Sequence, residues 1–388
     1  MSAATPRALY LAVVQFVFVS TWTIYIIFLP ELLQRAGIDK AWLPRLVIAD
    51  QVLMAVFDLV FGVAAARGMQ RYGRIAPFLL GITLASCLAF LLLPHVSTTA
   101  PVLLALTVVW VITSSALRAP LYILLSRHAA TPGKAVLAAM MTLGMAGAGM
   151  IAPWLALQLK PLDPVLPFAL SSLALAALVL PLAAAERAAG LKIDATGETP
   201  SRPALSAPAF FALLLAAALA FQIFFNLGAA PSYIKHFGAG ELHWLMPMFW
   251  LGVAAGSVLA SATAKHWPAE GLFAAGALLA AVAALVFGKA TSPTLLPLAQ
   301  ILGGVGWGLL LCKAFAIAER YLPAPDSATM VGGLFAMLAL ATVARISLNA
   351  SGFAEPALSL PAGLWLFAAG ATGFALLRSS KRQSPQVG

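Results

Sequence analysis

Twelve long apolar runs divide this sequence, and no other feature restricts its possible folds as strongly. A helix needs about 20 residues to cross the hydrocarbon core of a bilayer, and the runs have about that length. Because a backbone in lipid must satisfy its hydrogen bonds internally, the runs predict an all-α membrane protein with twelve transmembrane helices. The predicted spans are residues 8–32, 43–65, 75–94, 101–125, 134–158, 163–185, 208–234, 243–264, 271–289, 294–318, 328–352 and 357–377.

The composition agrees with a membrane protein and excludes two other classes. Of the residues, 62% are hydrophobic and only 9% are charged, against about 25% charged in an ordinary soluble domain. The net charge of +10 does not indicate a nucleic-acid partner, because the basic residues are scattered over short connectors and form no patch. The two cysteines, Cys87 and Cys312, lie in apolar runs without metal-binding spacing and are expected to be packing residues.

One connector differs from the others in length and polarity. Residues 186–207 are rich in turn-forming residues and carry both signs of charge, and they lie between the sixth and seventh apolar runs. The connector therefore predicts a linker between an N-terminal bundle, residues 1–185, and a C-terminal bundle, residues 208–378. Residues 379–388 are predicted to form a tail.

The two halves share a local pattern, which indicates an internal repeat. The first run ends P-E-L-L-Q-R-A-G at 30–37, and the seventh ends P-S-Y-I-K-H-F-G at 231–238. A Trp-Leu pair follows each of them at a similar distance. Repeats of this parallel kind are typical of transporters in which two similar bundles rock around a central site.

The distribution of Lys and Arg predicts the orientation in the membrane. Of the 23 basic residues, 14 lie in the termini and connectors on the N-terminal side, 6 lie on the opposite side and 3 lie within spans. The positive-inside rule therefore predicts that both termini and the linker are cytoplasmic, in a cytoplasmic (inner) membrane. A single Arg7 precedes the first run and no cleavage site follows it, so we expect this helix to be retained.

The connector between the second and third runs carries a short basic motif. It reads R-Y-G-R at 71–74, after Gln70, with Gly62 nine residues before it and Asp58 before that glycine. With the twelve spans, the linker and the repeated halves, this motif resembles the Asp-Arg-x-Gly-Arg signature of the major facilitator superfamily, Gln70 replacing the Asp. The resemblance covers the whole chain and implies the major facilitator fold of two pseudo-symmetric six-helix bundles.

The spacing of the motif, with Pro77 after the turn, is more similar to one branch of that superfamily. This branch is the melibiose-type (glycoside–pentoside–hexuronide) cation symporters, in which an acid on the second span takes part in the cation site. The resemblance implies that role for Asp58. Met54 stands one helical turn earlier, where the branch has a second acid.

Two carboxylates lie well inside the second apolar run, Asp50 and Asp58. A charged side chain at the centre of a spanning helix costs about 2.5–3.5 kcal/mol on insertion scales, so such residues are candidates for function. Asp58 is predicted to bind the coupling proton or cation, or else to be a structural acid paired with a nearby basic residue. For Asp50 the alternative to coupling is an interhelical hydrogen bond, because a polar Gln51 lies beside it.

Three cations also lie within spans, and they predict an anion-attracting cavity. Arg118 and Lys313 fall at similar depths in the fourth and tenth runs, and Arg345 falls in the eleventh, nearer the other face. Each should face the bundle interior or water, and a guanidinium suits a carboxylate bidentately. The alternative for Arg118 is a structural pair with Asp58, and the two roles are compatible.

Neutral polar residues within the spans are further candidates for contact with a solute. The seventh run is predicted to be locally irregular, because Asn226, Gly228 and Pro231 follow one another closely. A broken helix in a membrane is tolerated where it lines a cavity or packs in protein. The alternative role for each candidate is interhelical hydrogen bonding. The candidates predicted to bind substrate are Gln222, Asn226, Gln15 and Tyr25.

Taken together, these features predict a secondary active transporter. No catalytic or nucleotide-binding motif occurs in the sequence, so neither an enzyme nor a cofactor is expected. The predicted cargo is a small polar or anionic organic solute, moved by alternating access in a monomer within lipid, with a proton favoured over sodium as coupling ion. One alternative is a multidrug or metabolite exporter, whose cavity should be more apolar. The apolar residues Met246, Met248 and Trp250 of the eighth run are compatible with it. The other alternative is a non-transporting sensor or scaffold on the same fold.

Overall fold

The computed structural model describes residues 4–96, 98–126, 131–188, 203–290, 292–323, 326–352 and 358–383. Within these ranges, twelve helices are long and apolar enough to cross a membrane, as predicted, and the chain is an integral membrane protein. Spans 1 to 6 are Pro6–Arg35, Lys40–Tyr72, Ala76–Val96, Ala100–Ser126, Gly133–Leu159 and Val165–Ala184. Spans 7 to 12 are Ala207–Phe237, Ala239–Ala262, Ala269–Gly288, Leu295–Ala318, Ser327–Ala350 and Ser359–Ser380.

The spans form two six-helix bundles that face each other. In the first bundle span 1 packs on spans 5 and 6, and span 3 packs on spans 4 and 6. In the second bundle span 10 packs on spans 8 and 9, and span 7 packs on spans 11 and 12. Two long contacts join the bundles, span 2 against span 11 and span 5 against span 8. Most of the predicted linker, residues 189–202, lies outside the described residues.

Spans 2 and 11 approach closely because each carries a glycine at the crossing. A Cβ on Gly62 would lie 2.7 Å from the carbonyl oxygen of Ala328, and one on Gly332 would meet the carbonyl oxygen of Asp58. Only a residue without a side chain allows backbones to come this near. The crossing therefore places the turn of span 2 that carries Asp58 directly against span 11.

Span 4 is interrupted where it reaches Arg118. A 3₁₀ turn, Ser115–Leu117, separates its two helical parts, and Arg118 has φ −98° and ψ −97°. The cause lies in the sequence, because Pro120 has no N–H to donate to the Ala116 carbonyl oxygen four residues earlier, and its ring clashes with that carbonyl. Gln15 compensates part of this break, since its Nε2 donates a hydrogen bond to the carbonyl oxygen of Leu117 over 2.9 Å.

Span 7 has the irregularity that its sequence predicts. Its helix is regular over Ala207–Gln222, becomes a π-helix over Ile223–Ala229 and is regular again over Ala230–Phe237. A π segment shifts the following residues around the helix axis and is frequent at functional sites. Gln222 lies where the regular part ends, and Asn226 lies within the π segment.

The two bundles also contact each other at the membrane face where span 6 ends and span 7 begins. This face, which includes Gln70, Lys134, Glu319 and Asp326, is called the linker end. Lys134 Nζ of span 5 lies 3.4 Å from Glu319 Oε2 after span 10. Gln70 Nε2 donates a 2.7 Å hydrogen bond to Asp326 Oδ1. Span 2 ends nearby at Gly73 of the R-Y-G-R motif, whose φ of 66° favours glycine. These contacts hold the linker end closed.

Candidate functional site, a cavity between the bundles

A cavity of about 160 Å³ lies between the two bundles. Its wall comes from spans 2, 4 and 5 on one side and from spans 7, 8, 10 and 11 on the other, so relative movement of the bundles must change its shape. The lining residues are Gln51, Arg118, Thr142, Met145, Ala218, Phe221, Gln222, Trp250, Val253, Trp307, Leu311, Leu338, Ala339 and Thr342.

Arg118 stands between this cavity and Asp58. Its Nη1 lies 2.7 Å from Asp58 Oδ2, and the side chain of Asp58 is fully buried whereas that of Arg118 is 11% exposed. Asp58 does not line the cavity. The pairing of these two residues was one of the predicted alternatives, and its geometry leaves Arg118 able to face a second anion from the cavity side.

The ion pair is close but its hydrogen bonds are poorly aligned. Arg118 does not meet either carboxylate oxygen of Asp58 with well-aligned hydrogen-bond geometry, and the Ser115 side chain is the neutral donor beside this carboxylate. Arg118 instead directs Nη1 at Met54 Sδ over 3.9 Å and Nη2 at the carbonyl oxygen of Phe335 over 3.5 Å. Its guanidinium carbon lies 4.4 Å from the centre of the Phe335 ring. Because a strong carboxylate–arginine pair is bidentate, this looser arrangement leaves donors on Arg118 for another carboxylate.

Aromatic rings form one wall of the cavity. Phe221 and Trp307 are stacked with centroids 4.8 Å apart and an interplanar angle of 12°. Trp250 meets Phe221 edge-to-face at 5.9 Å. Nothing in the sequence spacing of these three residues distinguishes a cavity wall from a core.

Two of the predicted polar candidates form one small network at the cavity. Gln222 lines it and donates from Nε2 to Thr342 Oγ1 over 3.0 Å. Asn226 does not line the cavity but donates from Nδ2 to Gln222 Oε1 over 3.0 Å, which fixes the Gln222 amide. Thr142 and Thr342 also line the cavity, and their sequence context does not single them out, because a threonine in an apolar span usually donates to its own helix.

Asp50 and Tyr25 lie together, but away from the cavity. The Tyr25 hydroxyl donates to Asp50 Oδ2 over 2.8 Å, and both side chains are buried inside the first bundle. The Tyr25 ring packs against Trp110 at 4.7 Å and against Trp22 at 5.8 Å. The structure therefore places the two acids of span 2 in different surroundings, and neither Tyr25 nor Gln15 lines the cavity.

The two other buried cations also lie outside the cavity wall. Lys313 Nζ donates to the carbonyl oxygen of Ala260 over 2.7 Å, near the end of span 8, where helix carbonyls lack partners. Arg345 lies seven residues after the lining residue Leu338, so it is on the same face of span 11. It is nearer the end of span 11 that lies away from the linker end. Its Nε has no hydrogen-bond partner among the described residues.

Comparisons with known proteins find structural likeness only. No protein-family model matches the sequence, and no curated protein is significantly similar to it. The chain is similar over 97% of its length to the crystal structure of the human organic anion transporter MFSD10 (TETRAN), with 16% identity, a TM-score of 0.64 and 100% of that chain covered.

A second likeness is to a crystal structure of the E. coli fucose:proton symporter FucP. It covers 96% of this chain and 98% of that one, with 12% identity and a TM-score of 0.69. Both proteins are transporters by their names, and the likeness covers at least 98% of each of their chains. At these identities the likeness concerns architecture. The chain therefore has the major facilitator fold.

Proposed function

We propose that this protein is a secondary active transporter that carries a small organic anion together with a proton by alternating access. The observation that carries the proposal is the position of Arg118, which lines the cavity on one side and pairs with Asp58 on the other. The fold is shared with an organic anion transporter and with a proton symporter, which supports this class of function.

The proposed coupling follows from one guanidinium serving two carboxylates. When the cavity is empty, Asp58 balances the charge of Arg118. When the carboxylate of a substrate takes Arg118, Asp58 is left buried without its cation, and an uncompensated buried charge is strongly unfavourable. Asp58 then takes up a proton, so the anion and the proton bind together and leave together. The transport cycle moves no net charge.

A proton fits this site better than sodium does. Hard metal cations prefer several oxygen ligands, and Met54 supplies a sulfur to Arg118 at the position where the melibiose-type branch has a second acid. Among the described residues, no group of three His, Cys, Asp or Glu side chains is placed to hold a metal ion. We therefore propose proton coupling and do not assign the chain to the melibiose-type branch.

The test is transport by the purified protein in proteoliposomes. An inward proton gradient should drive accumulation of a radiolabelled organic anion above its external concentration, and a sodium gradient at equal pH on both sides should not. Accumulation driven by sodium alone contradicts proton coupling. Absence of counterflow for every anion that binds contradicts transport and favours the sensor or scaffold alternative.

We expect alternating access to separate spans 2 and 11 at the linker end, and Gly62→Ala should favour that open state. The added methyl group meets the Ala328 carbonyl oxygen only while the two spans touch. Overpacking costs about 1–3 kcal/mol, which corresponds to a population shift of roughly 5- to 150-fold. Cys312 is a natural reporter, because its buried Sγ donates to Thr142 Oγ1 of the other bundle over 3.4 Å.

The measurement is the alkylation rate of Cys312 in a Cys87→Ala background, below the melting temperature. Gly144→Ala is the matched control, because its methyl group meets the Ala12 carbonyl oxygen inside the first bundle. The control should lower thermal stability without raising the alkylation rate. Unchanged alkylation in a folded Gly62→Ala protein contradicts separation at this crossing.

The proposed orientation places both termini and residues 186–207 in the cytoplasm, in a cytoplasmic (inner) membrane. A cysteine introduced at Thr196, in the linker, should resist a membrane-impermeant maleimide added to intact cells and should react after the cells are permeabilised. A cysteine at Lys160, in the connector between spans 5 and 6, is the matched control and should react in intact cells. The reverse pattern contradicts this orientation.

The multidrug-exporter alternative is less well supported by the cavity. A cavity of about 160 Å³ is small for drug-sized compounds, whose pockets are about 300–1,000 Å³. Of the three residues that left this alternative open, Trp250 lines the cavity and Met246 and Met248 do not. The direction of transport depends on the gradients and on the order of binding, and the flux measurement above determines it.

A further inference from the structure

We infer that the anion is an aromatic monocarboxylate about as large as one ring with its acid group, rather than a sugar or a dicarboxylate. The inference rests on the proposed function and names the substrate class for the same cavity. Its basis is the juxtaposition of one cation, few free polar groups and a wall of aromatic rings.

The charge of the lining indicates a single carboxylate. Arg118 is the one charged side chain among the described residues that line the cavity. Lys313, another buried cation, donates a hydrogen bond to the Ala260 carbonyl oxygen. Arg345 lies on the same face of span 11 but does not line the cavity. A second carboxylate held within this lining would therefore be buried without a cation of its own, which is strongly unfavourable.

The neutral polar groups of the lining are mostly engaged with protein partners. The hydroxyls of Thr142 and Thr342 donate to Ala138 and Leu338 of their own helices, over 2.9 Å and 3.2 Å. The Gln222 amide donates to Thr342 and accepts from Asn226. A sugar needs partners for several hydroxyl groups, and each one left unpaired in a buried site is costly. Gln51 is the exception, since its Nε2 contacts Met54 Sδ over 3.9 Å. One amide does not supply partners for several hydroxyl groups.

The remaining surface suits a flat apolar body. Phe221, Trp250 and Trp307 contribute rings, and Met145 and Leu311 contribute flexible apolar groups. Aromatic pairs gain about 0.5–1.5 kcal/mol beyond the apolar area they bury, and methionine sulfur also contacts ring edges favourably. An aromatic ring gains more from this wall than an aliphatic body of the same size.

The volume sets the size of the ligand. The cavity measures about 160 Å³, and an engineered apolar cavity of about 150 Å³ in another protein holds benzene. A single ring whose carboxylate reaches Arg118 is close to this volume, whereas a two-ring body exceeds it. Benzoate is the simplest probe with these properties.

The experiment measures binding to the purified wild-type protein in detergent, through the concentration dependence of its melting temperature. The probes are benzoate, benzamide as its neutral counterpart, cyclohexanecarboxylate, phthalate, 2-naphthoate and L-fucose. Benzoate should bind most tightly. Benzamide should bind at least about tenfold more weakly, because it lacks the charge that faces Arg118. L-fucose and phthalate should produce no shift at the same concentrations.

Variants of one tryptophan separate the aromatic wall from general packing. Trp250→Leu should weaken benzoate binding at least about threefold and leave cyclohexanecarboxylate nearly unchanged, because only the ring-to-ring contact is lost. If the leucine variant does not fold, Trp250→Phe is the second variant. It keeps a ring at this position and should retain the preference for benzoate. The control is Trp244→Leu, an exposed tryptophan that packs on Trp154 away from the cavity, and it should bind as the wild type does.

The outcomes distinguish this inference from the proposed function. Proton-driven flux of aliphatic anions or of fucose, in preference to benzoate, overturns the aromatic monocarboxylate and leaves a proton-coupled transporter. Tight benzoate binding without flux overturns the transporter and supports the assigned ligand class. Equal binding of benzoate and benzamide overturns the role of Arg118 in recognising the ligand.

Discussion

Replacing Arg118 by glutamine should weaken the apparent affinity for the transported anion by roughly ten- to a hundredfold. The loss of one charged contact in a buried site accounts for this, at about 1.5–3 kcal/mol. Arg118 lines the cavity, and its pair with Asp58 engages Nη1 on one side of the guanidinium. The measurement is the concentration dependence of counterflow in proteoliposomes, together with the melting temperature of the variant.

Two further variants separate binding from stability. Arg118→Gln leaves Asp58 buried without its cation, so it should lower stability, and the added change Asp58→Asn should restore part of it. Lys313→Gln removes another buried cation and should lower stability by losing the bond to the Ala260 carbonyl oxygen, without changing the affinity. A stable Arg118→Gln protein with wild-type affinity and transport contradicts both the anion site and the structural pair.

Asp58→Asn should abolish accumulation against a concentration gradient while leaving downhill exchange of the anion largely intact. The asparagine amide resembles the protonated acid, so Arg118 stays available to the substrate whatever the proton gradient. The carrier then binds and releases the anion without a proton. The measurement is uptake in proteoliposomes under an imposed pH gradient, compared with exchange at equal pH on both sides.

Asp50→Asn is the matched control for the coupling acid. Asp50 is a second buried acid on span 2, but it accepts a hydrogen bond from Tyr25, forms no ion pair with Arg118 and does not line the cavity. Its replacement should leave proton-driven accumulation in place and should act mainly on stability. If Asp58→Asn still concentrates the anion, Asp58 is a structural acid and the coupling site lies elsewhere.

Several features followed from the sequence because they depend on the solvent and on local chain chemistry. Lipid demands apolar helices of a fixed length, so twelve runs predicted twelve spans and the structure confirms them. Pro231 and its neighbours predicted the irregular part of span 7, since proline removes a backbone donor. The buried charges identified Asp58 and Arg118 for the same reason, because lipid tolerates few charges without a partner.

The tertiary structure decided which buried residues meet. By sequence alone, Arg118 and Lys313 are equivalent cations at similar depths in their spans. In the structure Arg118 lines the cavity, whereas Lys313 donates a hydrogen bond to the Ala260 carbonyl oxygen near the end of span 8. Helix rotation decides this difference, and rotation is set by packing against neighbouring helices rather than by hydropathy. The aromatic wall of Phe221, Trp250 and Trp307 was hidden for the same reason. An apolar ring has the same local sequence context whether it lines a cavity or fills a core, so only the assembled bundles distinguish the two.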